Sequence, residues 1–346
     1  MTEPTYIPLR LHTEFSITDG MVRIKKLIAK AQEYGLPALG ISDLMNEFGL
    51  VKFYKACRGA GIKPIGAADV WIGNPNAPDK PFRAMLIIRN DAGYLRLSEL
   101  LTEAYVGKDR NIHHAELNPE WLENGDNSGL ICLSGAHYGE VGVNLLNGNE
   151  DAARAAALKY AAWFPDAFYL ELQRLPERPE WEACVSGSVK LAEELGLPVV
   201  ATHPTQFMSS DDFNAHEARV CIAGGWVLTD KKRPRDFTPS QFFIPPETMA
   251  ERFADLPEAL ENTVEIAKRC NLHITLGKNF LPLFPTPDGL SLDDYLVKLS
   301  NEGLQERMVQ LYPDEAERAA KMPEYQERLD FELNIIIQMK FPGYFL

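Results

Sequence analysis

At three points in this chain a glycine that closes a helical pattern is followed by a proline and then an apolar run: GLPALGIS at Gly35, GIKPIGAADV at Gly61 and GLPVVATH at Gly196. Glycine supplies the left-handed stop that ends a helix, and proline, which cannot donate to a strand ladder, is tolerated at a strand's entry. Each junction is therefore a helix-to-strand step. In the first, Ile24, Leu27, Ile28 and Ala31 lie on one helical face that Asp19 can cap and Gly35 can end, and Ala38 to Ser42 follows as a strand. The apolar runs Met85 to Ile88, Leu130 to Leu133 and Phe168 to Leu172 are likewise separated by helical patterns such as Ala152 to Trp163. About seven strands alternating with helices predict parallel βα units. Runs apolar on both faces fit a TIM-like α/β barrel better than an antiparallel sheet. The alternative, an open doubly wound sheet, lacks a GxGxxG after any strand, and the sequence holds no GxxxxGK[ST].

Barrel sites form where strands end and βα loops begin. The residues at those points are Arg10 and His12, Asp43 and Leu44, Asp69, Ala136 and His137, Arg174, and His203 to Gln206. In LRLHTEFSITDG the period-two alternation of a strand puts Arg10 and His12 on one face with Leu9 and Leu11 behind. An HxH there would chelate a metal, but a guanidinium does not ligate. His12 then reads as a structural histidine hydrogen-bonded at a strand end, and Asp19 as a helix cap. His216 and Glu217 begin an HExxH pattern that fails at Val220. His113 and His114 lie in a polar stretch that reads as a solvated loop.

With 346 residues, 45% of them hydrophobic, the chain has material for one large α/β unit and a smaller appendage. Its net charge of −14 argues against a broad phosphate-binding surface of its own. The basic run KKRPR at Lys231 to Arg235 is short and reads as a solvated loop. The nearby Trp226, Phe237, Phe242 and Phe243 read as aromatics that pin a proline-rich loop to the body. Cys57, Cys132, Cys184, Cys221 and Cys270 show no CxxC spacing and read as buried free thiols of a reducing cytoplasm. The first residues lack a basic stretch followed by an apolar one, and no segment reaches eighteen consecutive apolar residues, so nothing points to secretion or a membrane. From about Asn271 the character changes: LPLFPTPDG is a connector, followed by helical patterns at Ser291 to Leu311 and Pro323 to Lys340. The apolar ending FPGYFL reads as a cut in a larger protein.

RLHTEFSITDG, GISDLMNEFGLVKFYKACRGAGIKPIGAADV, LICLSGAHYGEVG, FYLELQR, PVVATHPTQFMSSDDFNAHEARVCI and FPGYFL together resemble the N-terminal PHP (polymerase and histidinol phosphatase) domain of bacterial DNA polymerase III alpha subunits. The resemblance covers essentially the whole chain. It implies a distorted seven-stranded barrel, residues 1–276, then a connector, 277–290, and a helical start of the polymerase palm or thumb region, 291–346. It also implies strand ends able to hold metals through His, Asp, Glu and sometimes Cys. Carried over position by position, the HxH is Arg10 and His12, the aspartate before glycine is Asp19, and the DH pair is Asp43 and Leu44. The glutamate after the third strand is Asp69, the Cys or His after Ser-Gly is Ala136, the residue after the Glu-x-Gln strand is Arg174, and the closing DxH is Pro204 and Gln206.

His12, Asp19 and Asp69 are the remaining weak metal candidates, and Asp43 neighbours a ligand position without occupying it. A stable cluster needs several ligands per ion, so no metal and no catalytic residue is expected here. The sequence predicts a vestigial pocket in which Arg10 or Arg174 pairs with Asp19 or Asp69. The resemblance implies a scaffold that stabilises the replicative polymerase and docks its proofreading exonuclease subunit. The magnesium-dependent chemistry would then lie beyond Leu346, and DNA would be met only through the full-length protein. The rival reading is an active metal-dependent phosphoesterase, a pyrophosphatase or 3′ to 5′ exonuclease, in the same pocket.

Overall fold

The computed structural model describes residues 4–278 and 280–346. They divide into two compact units, 1–274 and 275–346. The first is a curled sheet of six strands in the order β1 (Ala38–Leu44), β2 (Lys63–Ile72), β3 (Phe82–Ile88), β4 (Leu130–Leu133), β5 (Phe168–Leu172) and β6 (Val199–Ala201). Helices on the outside cover it, among them Ile24–Glu33, Leu50–Gly59, Asp91–Val106, Glu150–Trp163 and Glu182–Leu195. The expected barrel-like α/β architecture is present, with two corrections.

First, the pairing is not parallel throughout. β1 and β2 are parallel, as are β4 with β5 and β5 with β6, but β3 is antiparallel to both β2 and β4. The segment 73–81, GNPNAPDKP, carries no helix, and a parallel return needs a crossover of roughly a dozen residues or more. The chain therefore turns straight back and β3 runs against its neighbours.

Second, the sheet has six strands where the sequence predicts about seven. The N-terminal segment that carries Arg10 takes the remaining place as extended chain. Gly40 N donates to Pro8 O at 2.7 Å and Ser42 N to Leu11 O at 2.9 Å, while His12 N donates to Thr205 O at 3.0 Å. It thus joins β1 to the stretch just past β6. Gly40 is required for this, because a Cβ there would overlap the backbone of Leu9.

Burial follows the strand period at that segment: Leu9 and Leu11 enter the hydrophobic core, while Arg10 and His12 face the open end of the curl. All five cysteines are free and buried. Asp19 caps no helix. Ile24–Glu33 starts after Arg23 without a side-chain cap, because Asp19 is engaged by His12 instead.

The second unit contains the helices Leu292–Leu311, Glu315–Gln338 and Pro342–Phe345. Ser291 caps the first through Asp294 N at 3.1 Å. The second starts eight residues earlier than Pro323, the start that the sequence predicts, because Asp314 accepts from Glu317 N at 2.9 Å and Pro323 is held inside the helix. Tyr312 and Tyr325 meet through their hydroxyls at 3.1 Å, and Gln326 Nε2 donates to Asn301 Oδ1 at 2.8 Å.

Candidate functional site

The open end of the curl carries a cavity of about 380 Å³. Its floor is a set of paired charges. Arg10 reaches it from the N-terminal segment and donates from Nε to Glu171 Oε1 at 2.7 Å and from Nη2 to Glu171 Oε2 at 2.9 Å, while Nη1 pairs with Asp69. Arg83 pairs with the same Oδ2 of Asp69. His12 bridges two carboxylates, with Nδ1 3.0 Å from both oxygens of Asp19 and Nε2 3.0 Å from Asp69 Oδ2. Glu171 also accepts from Gly135 N at 3.1 Å and Gln173 Nε2 at 3.1 Å, and from Thr202 Oγ1.

The electrostatics follow from these pairs. Burial works against the charge on His12, but Asp19 and Asp69 outweigh it and hold the imidazole pKa at about 9. Burial would likewise raise the Asp69 carboxyl, yet Arg10 and Arg83 beside it hold it well below the usual carboxylate range. Asp19 is lowered in the same sense, burial again being outweighed, here by His12. Arg10 remains charged, since Asp69 and Glu171 overcome its burial. Two buried cations, Arg10 and His12, and the part-buried Arg83 meet three buried carboxylates, Asp19, Asp69 and Glu171.

The residues predicted from sequence divide into two groups. Arg10, His12, Asp19, Leu44, Asp69, Pro204 and Gln206 line the cavity. Asp43 lies to one side, accepting from Thr13 N at 2.6 Å, from Thr13 Oγ1 at 2.8 Å and from Ser16 Oγ at 2.8 Å. Burial raises its pKa despite these bonds. Ala136 is buried off the cavity lining. Arg174 departs from expectation, because its guanidinium turns away from the floor. It holds Glu182 through Nε at 2.9 Å and Nη2 at 2.8 Å, and Asp255 through Nη1 at 2.6 Å. The outer carboxylates capture it before it can reach Asp19 or Asp69.

Three participants escaped the sequence reading. Arg83 was missed because β3 is reversed, so its first residues lie at the end where the other strands finish. Glu171 carries the signal of a carboxylate inside the apolar run FYLEL, fully buried one residue before the end of β5. Trp181 stacks on the His137 ring, centroids 3.5 Å apart.

The other histidines are structural in this arrangement. His203 Nε2 donates to Phe242 O at 2.9 Å, and burial, followed by the charge on Arg252, lowers its pKa to about 3. His216 donates to the Asp19 carbonyl and so positions the cavity wall. His114 pairs with Glu116 at 2.8 Å. In the KKRPR run, Arg233 is not solvated: it is 8% exposed and pairs with Glu217. Of the nearby aromatics, Phe243 is buried and stacks on Tyr34 at 5.6 Å, whereas Trp226 stays half-exposed.

This donor set does not fit a metal cluster. A cation at the floor would meet two guanidinium groups and a protonated imidazole, and Asp69 Oδ2 is already shared by three donors. Among the described residues no group of three or more His, Cys, Asp and Glu side chains is arranged to hold a metal ion.

Residues 8–175 match the PHP domain family, and residues 294–346 match the family described as the bacterial DNA polymerase III alpha NTPase domain. A DNA polymerase III subunit alpha from Neisseria meningitidis serogroup A is 98% identical over 346 residues, covering 100% of this chain and 30% of that protein. The chain belongs to the family of bacterial DNA polymerase III alpha subunits. Another member, from Pseudomonas fluorescens, is 47% identical over 345 residues, covering 99% of this chain and 29% of its own length. The chain thus spans about 30% of the alpha subunits it matches. Among solved structures, an amidohydrolase from Chromobacterium violaceum with bound SO4 and no metal is 11% identical, covering 62% of this chain and 96% of that one, at a TM-score of 0.33. Among the described residues no helix is long and apolar enough to cross a membrane.

Proposed function

We propose that this region of the alpha subunit is a noncatalytic scaffold, built on a PHP barrel whose reaction floor has been replaced by ion pairs. The observation that carries this reading is the Arg10 guanidinium, 6% exposed and held by Glu171 and Asp69 where a metal-dependent barrel would need ligands. A buried cation clamped on both sides repels divalent ions and holds the surrounding strand ends in one arrangement.

In the whole protein this scaffold stabilises a DNA-directed DNA polymerase of the cytoplasm and docks the proofreading exonuclease subunit of the same holoenzyme. The helices from 291 onward form the start of the polymerase palm or thumb region, and carboxylates elsewhere in the whole protein hold the magnesium ions of nucleotidyl transfer. DNA engages through that whole protein, in keeping with the chain's net charge of −14.

The test is a pull-down of the cognate exonuclease subunit by this chain, paired with assays for phosphate release from pyrophosphate and from a 3′-ended oligonucleotide. Capture without hydrolysis is expected. Metal-dependent hydrolysis by contaminant-free protein, or failure to capture, overturns the reading.

A further inference from the structure

The cavity above the ion-paired floor is polar in a way the scaffold reading leaves unused. Both ring nitrogens of His137, Oε1 of Gln206 and Nε of Arg83 have no hydrogen-bond partner among the described residues. His137 is 8% exposed and Gln206 4%, and all three side chains line the cavity. Buried polar atoms are rarely left unpaired, so a set of them around one cavity points to a ligand that pairs with them.

The walls restrict what that ligand can be. Trp71, Tyr138, Trp181 and Phe237 give the cavity aromatic sides suited to a flat ring. The floor's cations and carboxylates balance one another, and Asp236 adds a negative charge to the lining. An anion gains little in such a place, whereas an uncharged molecule loses nothing to repulsion. His137 is held neutral by burial, with Arg83 and Arg10 adding to the effect, so each of its nitrogens serves as donor or acceptor according to tautomer. Gln206 Oε1 accepts and Arg83 Nε donates.

We propose that this cavity binds a small uncharged heteroaromatic molecule carrying donors and acceptors on its edge, the chemistry of a nucleoside base. An exocyclic amino group would donate to Gln206 Oε1, a ring nitrogen would pair with His137, and the ring face would lie against the aromatic wall. This use of the cavity is independent of exonuclease docking and does not require metal.

Titration of the intact 346-residue chain with adenosine, cytidine, guanosine and uridine, followed by tryptophan fluorescence and by ligand-observed NMR, tests it. Saturable binding of at least one nucleoside is expected, without competition from millimolar inorganic phosphate. His137→Phe keeps a ring on Trp181 but removes both nitrogens, and Gln206→Met keeps the length but removes the acceptor. Each should weaken binding about tenfold, the size of one lost neutral hydrogen bond. Exposed Leu158→Ser, on the outer helix Glu150–Trp163 that contributes nothing to the lining, should leave it unchanged. No saturable binding of any of the four, displacement by phosphate, or unaltered affinity in the folded variants overturns the proposal. If one variant fails to fold, the other decides.

Discussion

Arg10 and Glu171 lie 161 residues apart in sequence and meet in a two-pronged ion pair, Nε to Oε1 at 2.7 Å and Nη2 to Oε2 at 2.9 Å. The pair ties the N-terminal segment to β5 across the open end of the sheet. Bidentate geometry offsets the cost of burying both charges, and the further bonds from Gly135, Gln173 and Thr202 satisfy the rest of the carboxylate.

Asp69 is the residue on which the floor depends most. Its Oδ2 is shared by Arg10, Arg83 and His12, so Asp69→Ala leaves the buried Arg10 and His12 and the part-buried Arg83 short of a partner. Breaking such a network by removing one member costs about 3–5 kcal/mol. Chemical denaturation should show that loss in the variant, and a wild-type midpoint would contradict the assignment.

Titration of the buried histidines should shape stability against pH. His12 is raised from 6.5 to about 9, so its contribution is complete below about pH 6.5 and disappears as pH rises through 9. That shift corresponds to roughly 3 kcal/mol. His137 and His203 are lowered to about 3, so their neutral folded forms are penalised as pH falls from 6.5 towards 3. Glu47, raised by burial to about 7, adds to the loss between about 4.5 and 7 as pH rises. Melting temperatures should therefore fall on the alkaline side from pH 6.5 to 9. In His12→Gln that limb should be much shallower, and an equally steep limb would remove His12 from the explanation.

Metal removal should have no effect on folding. The floor contains guanidinium groups where ligands would be needed, so dialysis against EDTA is expected to leave the melting temperature unchanged. Elemental analysis should find less than one zinc or manganese per chain. A drop in melting temperature on chelation that zinc restores would count against the ion-paired floor.

The boundary between the compact units gives a fourth expectation. A chain ending at Ile274 retains all six strands and the 8–12 segment, so it should fold cooperatively with a circular dichroism spectrum of mixed helix and strand. A molten or aggregated product would show that the first unit does not fold by itself.

The sequence by itself determined the fold class and most of its elements, because local chemistry decides them. Glycine and proline at Gly35–Pro37, Gly61–Pro64 and Gly196–Pro198 mark helix-to-strand junctions wherever they occur, and the strands Leu130–Leu133 and Phe168–Leu172 coincide with their apolar runs. The family resemblance put Arg10, Leu44, Pro204 and Gln206 at ligand positions, and their side-chain chemistry makes them poor metal ligands. What the tertiary structure decided is which charges meet. The reversal of β3 follows from the short 73–81 connection and places Arg83 beside Asp69. Arg174 and Arg10 are alike in sequence terms, yet one is captured by Glu182 and Asp255 on the outside and the other by Glu171 and Asp69 on the floor. The choice rests on distances between residues far apart in the chain, and such distances exist only once the sheet has curled.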